Sequence, residues 1–94
     1  MVAYWFARVN VTDAEAYAEY AKRATPAIEG HGGKFLARGG RHTTLEGDDF
    51  ARNVLVEFPS FDQAVACYNS PEYQDAKACQ EGAAIRNLSI VEGN

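Results

Sequence analysis

The chain contains no apolar run near the ~20 residues needed to span a bilayer, and no Pro-, Gly- or Ser-rich stretch of the kind that links domains. A membrane helix and a multidomain enzyme are thereby excluded, and residues 1–94 read as one domain. Cysteine is scarce. Cys67 and Cys79 are too few for a disulfide scaffold, and twelve residues apart they match no close-set metal or redox pair, so reduced structural thiols are expected. Basic residues are few and scattered, nine against thirteen acidic ones for a net charge of −4, which disfavours nucleic acid and anionic membrane surfaces as partners. The opening run from Val2 to Val9 is short and has no basic segment before it, which points to a cytoplasmic protein. Without a secretory signal, the sequons Asn10-Val11-Thr12 and Asn87-Leu88-Ser89 read as coincidences. Neither a phosphate-binding glycine loop nor a nucleophile elbow occurs.

What is present is enough to fold. Hydrophobic residues make up 47% of the chain, aromatic residues 12% and charged residues 23%, too apolar for disorder and too evenly mixed for a fibrous protein. Val2 to Val9 is rich in aromatic and β-branched residues on both alternating faces and reads as a central strand. Thr12-Asp13-Ala14-Glu15 has the spacing of a capping box, with Thr12 as the cap of a helix. Ala14, Tyr17, Ala18, Ala21 and Ala24 form its expected buried face. Pro26 either kinks this helix or opens a new turn capped by Thr25, and Gly30, Gly32 and Gly33 stop it. His31, at that Gly-rich end, reads as a C-terminal cap rather than a metal ligand.

Lys34 to Arg38 alternates as a second strand, expected to bulge at Gly39-Gly40 and to resume through Arg41 to Leu45. A turn at Gly47-Asp48-Asp49 leads to a third strand from Asn53 to Phe58, ended by Pro59. Ser60 to Gln63 has capping-box spacing, and Ser70-Pro71-Glu72 looks like a fresh helix start, so two short helices are expected there. Ala84 to Glu92 gives a last strand with Leu88 and Ile90 on one side.

The order β-α-β-β-α-β is that of an α+β, ferredoxin-like sandwich: two helical segments on one face of a four-stranded antiparallel sheet. The strands carry apolar groups on both sides, so the face away from the helices would stay exposed in a lone subunit. A homodimer burying sheet against sheet is the simplest remedy.

Several segments also resemble a known family. They are Gly33-Lys34-Phe35-Leu36-Ala37-Arg38-Gly39-Gly40-Arg41-His42, Leu45-Glu46-Gly47, Glu57-Phe58-Pro59-Ser60, Cys67-Tyr68-Asn69-Ser70-Pro71-Glu72-Tyr73 and Ile90-Val91-Glu92-Gly93. Together they resemble the domain of unknown function 1330 family over nearly the whole chain. That family is similar to the dimeric α+β-barrel superfamily, which includes cofactor-free monooxygenases of antibiotic biosynthesis, muconolactone-isomerase-like proteins and haem-binding chlorite-dismutase relatives. The resemblance implies the fold and a dimer. It supplies no activity.

Candidate chemistry comes from strand pairing. A turn centred on Asp48-Asp49 sets Gly40 opposite Glu57 and His42 opposite Leu55, and pairing of the first and third strands brings Tyr4 near Glu57 and Arg8 near Asn53. Tyr4, His42 and Glu57, with Arg8 at the edge, form the candidate acid–base cluster, because a carboxylate in an apolar sheet and a nearby histidine exchange protons near neutral pH. The same residues also fit a structural reading, in which Glu57 makes an intersubunit salt bridge with an arginine. Arg38, Arg41 and the adjacent glycines suit an anion, or simply a solvated strand edge. Tyr17, Tyr20, Phe61 and Trp5 read as core that could also line a flat pocket, and Tyr68 and Tyr73, flanking the Ser70-Pro71 break, have the best claim to its wall.

Three functions compete at this level. The first is a small-metabolite pocket between sheet and helices, with cofactor-free oxidation or isomerisation as its chemistry. The second is a non-catalytic or stress-associated binding module whose polar cluster only sets the dimer. The third, and weakest, is haem binding through His42 or His31. No cofactor and no metal site is expected, since two histidines eleven residues apart do not make one.

Overall fold

A computed structural model describes all 94 residues. Strand β1 (Ala3–Val11) runs down the middle of a four-stranded antiparallel sheet of order β2-β3-β1-β4, with β2 at Lys34–Arg38, β3 at Arg52–Phe58 and β4 at Ala84–Glu92. Helices α1 (Ala14–Gly30), α2 (Phe61–Asn69) and α3 (Pro71–Cys79) cover one face. This is the ferredoxin-like α+β arrangement, with its second helical segment broken in two.

The break follows from Ser70-Pro71. Ser70 has extended backbone, accepts a hydrogen bond from the Tyr73 N–H on its side-chain oxygen and precedes proline at the first helical position, so α3 starts afresh. Ser60 caps α2 in the same way through the Gln63 N–H, although the Gln63 side chain reaches the His31 carbonyl instead of closing the box. At α1 the cap is Asp13, not Thr12: the Asp13 carboxylate accepts from the Ala16 N–H, and Thr12 stays in the chain turn, its own N–H bonded to the Ala83 carbonyl.

Helix α1 continues through Pro26 to Gly30. The Thr25 hydroxyl donates to the Ala21 carbonyl one turn back, so it does not cap a new turn. The buried face of α1 is turned from the expected one. Tyr17, Tyr20, Ala24, Ala27 and Ile28 lie inside while Ala14 and Ala18 are exposed, because two tyrosines remove far more surface from water than the alanines they displace. His31 does cap this helix, its Nδ1 2.9 Å from the Ala27 carbonyl oxygen. Just beyond, Gly33 admits no side chain: a Cβ there would lie 2.5 Å from Ile28 Cγ2 and 2.8 Å from the Ile28 carbonyl oxygen.

The register sets Tyr4 opposite Glu57 and Arg8 opposite Asn53, as the pairing of the first and third strands anticipates. Strand β2 departs from expectation. Its irregularity falls between Phe35 and Ala37, not at Gly39-Gly40, and no strand resumes at Arg41 to Leu45. The residues from 39 to 51 form a loop instead, pinned by Arg8 Nη2 to the Asp48 carbonyl and by Asn10 to the Asp49 carbonyl and the Ala51 N–H. The core lies between sheet and helices. Trp5, Tyr73, Phe58, Val9, Val56 and Cys67 are its largest fully enclosed side chains.

Candidate functional site

Period-two alternation divides the sheet into two chemically different faces. The open face carries the row Tyr4, Glu57, Val91 and Lys34, then Phe6, Leu55 and Ser89, then Arg8, Asn53 and Asn87. The helix-covered face carries Trp5, Val56, Ile90 and Phe35, then Ala7, Val54, Leu88 and Arg38, and finally Val9 flanked by Arg52 and Arg86.

The expected acid–base cluster does not assemble. Lys34, not Gly40, lies opposite Glu57, so His42 is not its diagonal neighbour. The ladder passes its bulge, stops at Arg38 opposite Val54 and leaves His42 in the loop, with its Nε2 3.6 Å from an Asp49 oxygen. Asp49 is held below the ordinary carboxylate range, first by the Thr44 hydroxyl and then by His42, despite its exposure. Tyr4 and Glu57 remain cross-strand neighbours on the open face. Arg8 is on the same face but tied to the loop, its guanidinium 4.6 Å above the Phe50 ring. Arg8 and His42 share a shallow cleft there with Phe6, Leu45 and Asn53.

The aromatic residues gather on the other face. Trp5 stacks on Phe58 at 5.7 Å between ring centres and meets Tyr73 edge-on at 5.0 Å. The Tyr73 hydroxyl lies 2.8 Å from that of Tyr20 and accepts a hydrogen bond from Arg86 Nη2 at 3.0 Å. The Arg86 guanidinium also sits 4.9 Å from the Tyr20 ring centre. Burial, and then the neighbouring Tyr20, push the Tyr73 phenol well above its ordinary range, outweighing the opposing pull of Arg86. Tyr73 is therefore a neutral hydrogen-bonding group, and Arg86 a cation without a carboxylate partner. Tyr73 is fully enclosed and lines no cavity, whereas Tyr68 borders an open cleft with Lys77 and Arg86. Burial raises the Cys67 thiol to about 11, so it is an inert core group.

The cavity between sheet and helices lies under α1. Its volume is about 40 Å³, room for a few water molecules and far below the ~300–1,000 Å³ common for ligand pockets. Trp5, Ala7 and Val54 form the floor, and Tyr17, Tyr20, Ala21 and Ala24 form the wall. Arg38 and Arg52 stand at the rim beside Thr25 and Phe35. Of the residues singled out in sequence, Arg38, Trp5, Tyr17 and Tyr20 meet here, and Tyr4, Glu57, Arg8 and His42 do not. Arg52 and Arg86 escaped sequence reasoning, although alternation places them in phase with Val54 and Val56 and with Leu88 and Ile90, respectively. No three His, Cys, Asp or Glu side chains gather in a way that could hold a metal.

The fold and its covered cavity define a ferredoxin-like α+β protein. The chain belongs to the family described as a domain of unknown function, DUF1330, which it matches over residues 2–94. Among solved structures it is similar to a protein of unknown function from Rhodopseudomonas palustris, with a TM-score of 0.78 and 23% identity, covering 99% of this chain and 82% of that one. It is also similar to SnoaB, a cofactor-independent oxygenase from Streptomyces nogalater, with a TM-score of 0.67 and 10% identity over 99% and 93% of the two chains. A dimeric protein of unknown function and ferredoxin-like fold from Bacteroides fragilis aligns with a TM-score of 0.59 and 13% identity over 98% and 96%. At these identities the likeness is one of fold. None of the curated proteins matches the sequence.

Proposed function

We propose that this protein binds a small, largely apolar metabolite in the cavity under α1 and does so as a homodimer joined through the open faces of its sheets. The observation that carries the binding reading is the cavity itself: an opening into the aromatic core, walled mostly by apolar side chains, with its few polar groups at the rim.

The dimer reading rests on the other face. Phe6, Ile85 and Val91 are 43%, 63% and 58% exposed there in a single subunit. Lys34 and Glu57 face each other in one row, and Arg8 lies further along the same strands, so the face carries charges of both signs that a two-fold copy would complement. The similar Bacteroides fragilis protein is dimeric. No helix is long and apolar enough to cross a membrane.

Cofactor-free oxidation or isomerisation is the second reading, and the arrangement favouring it is Arg86 held on the Tyr73 hydroxyl. A half-buried guanidinium without a carboxylate can stabilise an anion forming on a carbonyl compound held in the open cleft that Arg86 borders with Tyr68 and Lys77.

Thermal-shift measurement against a metabolite panel tests the binding reading. A ligand at ten times its Kd stabilises the fold by about 1.4 kcal/mol, a rise in Tm of several degrees for a domain this small. Ala21→Leu, which projects extra bulk into the cavity from the wall, removes that response while the protein stays folded. Hits whose shifts survive Ala21→Leu, or a panel without hits, contradict the binding reading.

A further inference from the structure

A second opening lies where the end of α3 meets β4. It is a cleft of about 390 Å³, within the ~300–1,000 Å³ common for ligand pockets, bordered by Tyr68, Lys77, Gln80 and Arg86 with Ala84 and Leu88. Two of these residues are cations and none is an acid, a local reversal of sign in a chain of net charge −4. Arg86 takes part in none of the ion pairs of the molecule, and Lys77 has only a 4.0 Å contact with the exposed Glu81.

Arg86 is anchored with donors to spare. Its Nη2 donates to the Tyr73 hydroxyl, whereas its Nε and Nη1 make no hydrogen bond in the protein and are not shut off from solvent. Gln80 points to a ligand independently. The side chains of Gln63 and Gln74 each donate to a backbone carbonyl. Gln80 is only 7% exposed, yet its side-chain amide has no partner within the protein and is not sealed from solvent, so it stays open to the cleft it lines. A nearly enclosed amide without partners is costly, and a bound polar group relieves that cost.

We infer that this cleft takes a small carboxylate, its charge between Arg86 and Lys77, the Gln80 amide donating to one oxygen, and its apolar part along the Tyr68 ring and Leu88. The inference rests on the cleft of the second reading above and names its ligand class; it does not depend on what the cavity under α1 holds. A singly charged carboxylate suits the cleft better than a doubly charged phosphate ester, because Gln80 is the C-cap of α3 and the last carbonyls of that helix carry partial negative charge beside it. A guanidinium fork also matches two coplanar oxygens.

The test is a titration of the whole protein with benzoate, set against its neutral counterpart methyl benzoate, read by calorimetry and by the side-chain amide signals of Gln80 in NMR. Benzoate is expected to saturate, to move the Gln80 signals and to bind at least ~10-fold more tightly than the ester, with an affinity that falls as salt is added. Lys77→Met is expected to weaken benzoate ~5-fold and leave the ester unchanged, and Gln80→Leu to weaken benzoate by a similar factor. Equal affinity for acid and ester, or benzoate binding untouched in Lys77→Met, overturns the carboxylate inference and leaves a carbonyl compound in the cleft. If neither compound moves the Gln80 signals, both readings of the cleft fall. Shifts confined to Ala21 and Ala24 would put the acid under α1 and overturn the cleft assignment. Should Gln80→Leu fail to fold, Lys77→Met and the acid-to-ester ratio in the unaltered protein decide the matter.

Discussion

The two faces of this sheet are built from the same four strands and have opposite characters. On the helix-covered side, Trp5, Val56 and Phe58 are 2%, 0% and 0% exposed, and the polar groups among them form a linked set through Tyr20, Tyr73 and Arg86. On the open side, apolar residues such as Phe6 and Val91 remain exposed, and Tyr4, Glu57 and Lys34 are interspersed with them. One face is finished by its own chain. The other is finished, in our account, by a second copy, and the difference teaches that stability, ligand binding and assembly can be altered separately in a sheet only one layer thick.

The largest effect expected from breaking this division is in the covered core. Phe58→Ala should cost about 3–5 kcal/mol in denaturant unfolding, since a fully enclosed ring packed on Trp5 leaves a cavity that neighbours cannot close. Phe6→Ala, which truncates a partly exposed ring, should cost the subunit's own fold less than half as much. Equal losses would erase the contrast between faces.

Tyr73→Phe ranks next, at about 1–3 kcal/mol, because it deprives Arg86 of an acceptor inside the protein. It should also change the alkaline limb of the stability curve. Burial raises the phenols of Tyr73 and Tyr17 above their ordinary value of 10.0, so the unfolded chain loses those protons first. Stability is then constant in this respect below about pH 10 and falls as pH rises above it. Tyr73→Phe should flatten that fall, measured by denaturant melts from neutral to alkaline pH, and an unchanged slope would show that Tyr73 does not carry it.

On the open face, Phe6→Glu should weaken dimerisation by at least ~10-fold in sedimentation equilibrium while the subunit's circular dichroism is kept, as two buried charges would meet across the two-fold axis. A smaller change is expected from Glu57→Gln, a few-fold loss of dimer affinity with no change in ligand response, given that Glu57 lies on the face away from the cavity. Loss of ligand response with an intact dimer would return Glu57 to the binding machinery.

These faces were legible in sequence to the extent that alternation was uninterrupted. The pairing of Tyr4 with Glu57 and Arg8 with Asn53 follows from two regular strands, and Ser70-Pro71 announces its helix start through local chemistry alone. Strand β2 was not legible because Gly39-Gly40 offers the stronger bulge signal, yet the irregularity falls beside Leu36, where no glycine marks it. His42 was lost from the candidate cluster because Lys34, not Gly40, pairs with Glu57 and the chain from 39 to 51 loops out instead of continuing the hairpin. Arg52 and Arg86 went unnoticed for another reason: arginine in a strand reads as solvated, and only its phase with Val54 and Leu88 places it toward the helices. What decided the role of Arg86 was the absence of a carboxylate nearby, a property of three-dimensional neighbours that no spacing displays.

The division of labour is tested most directly by methyl NMR of the protein titrated with a ligand found in the thermal-shift panel. Our account predicts that the methyl signals of Ala7, Ala21, Ala24 and Val54 shift with ligand while those of Leu55, Ile85 and Val91 stay in place. Shifts confined to Leu55, Ile85 and Val91 would put the ligand on the open face and contradict it.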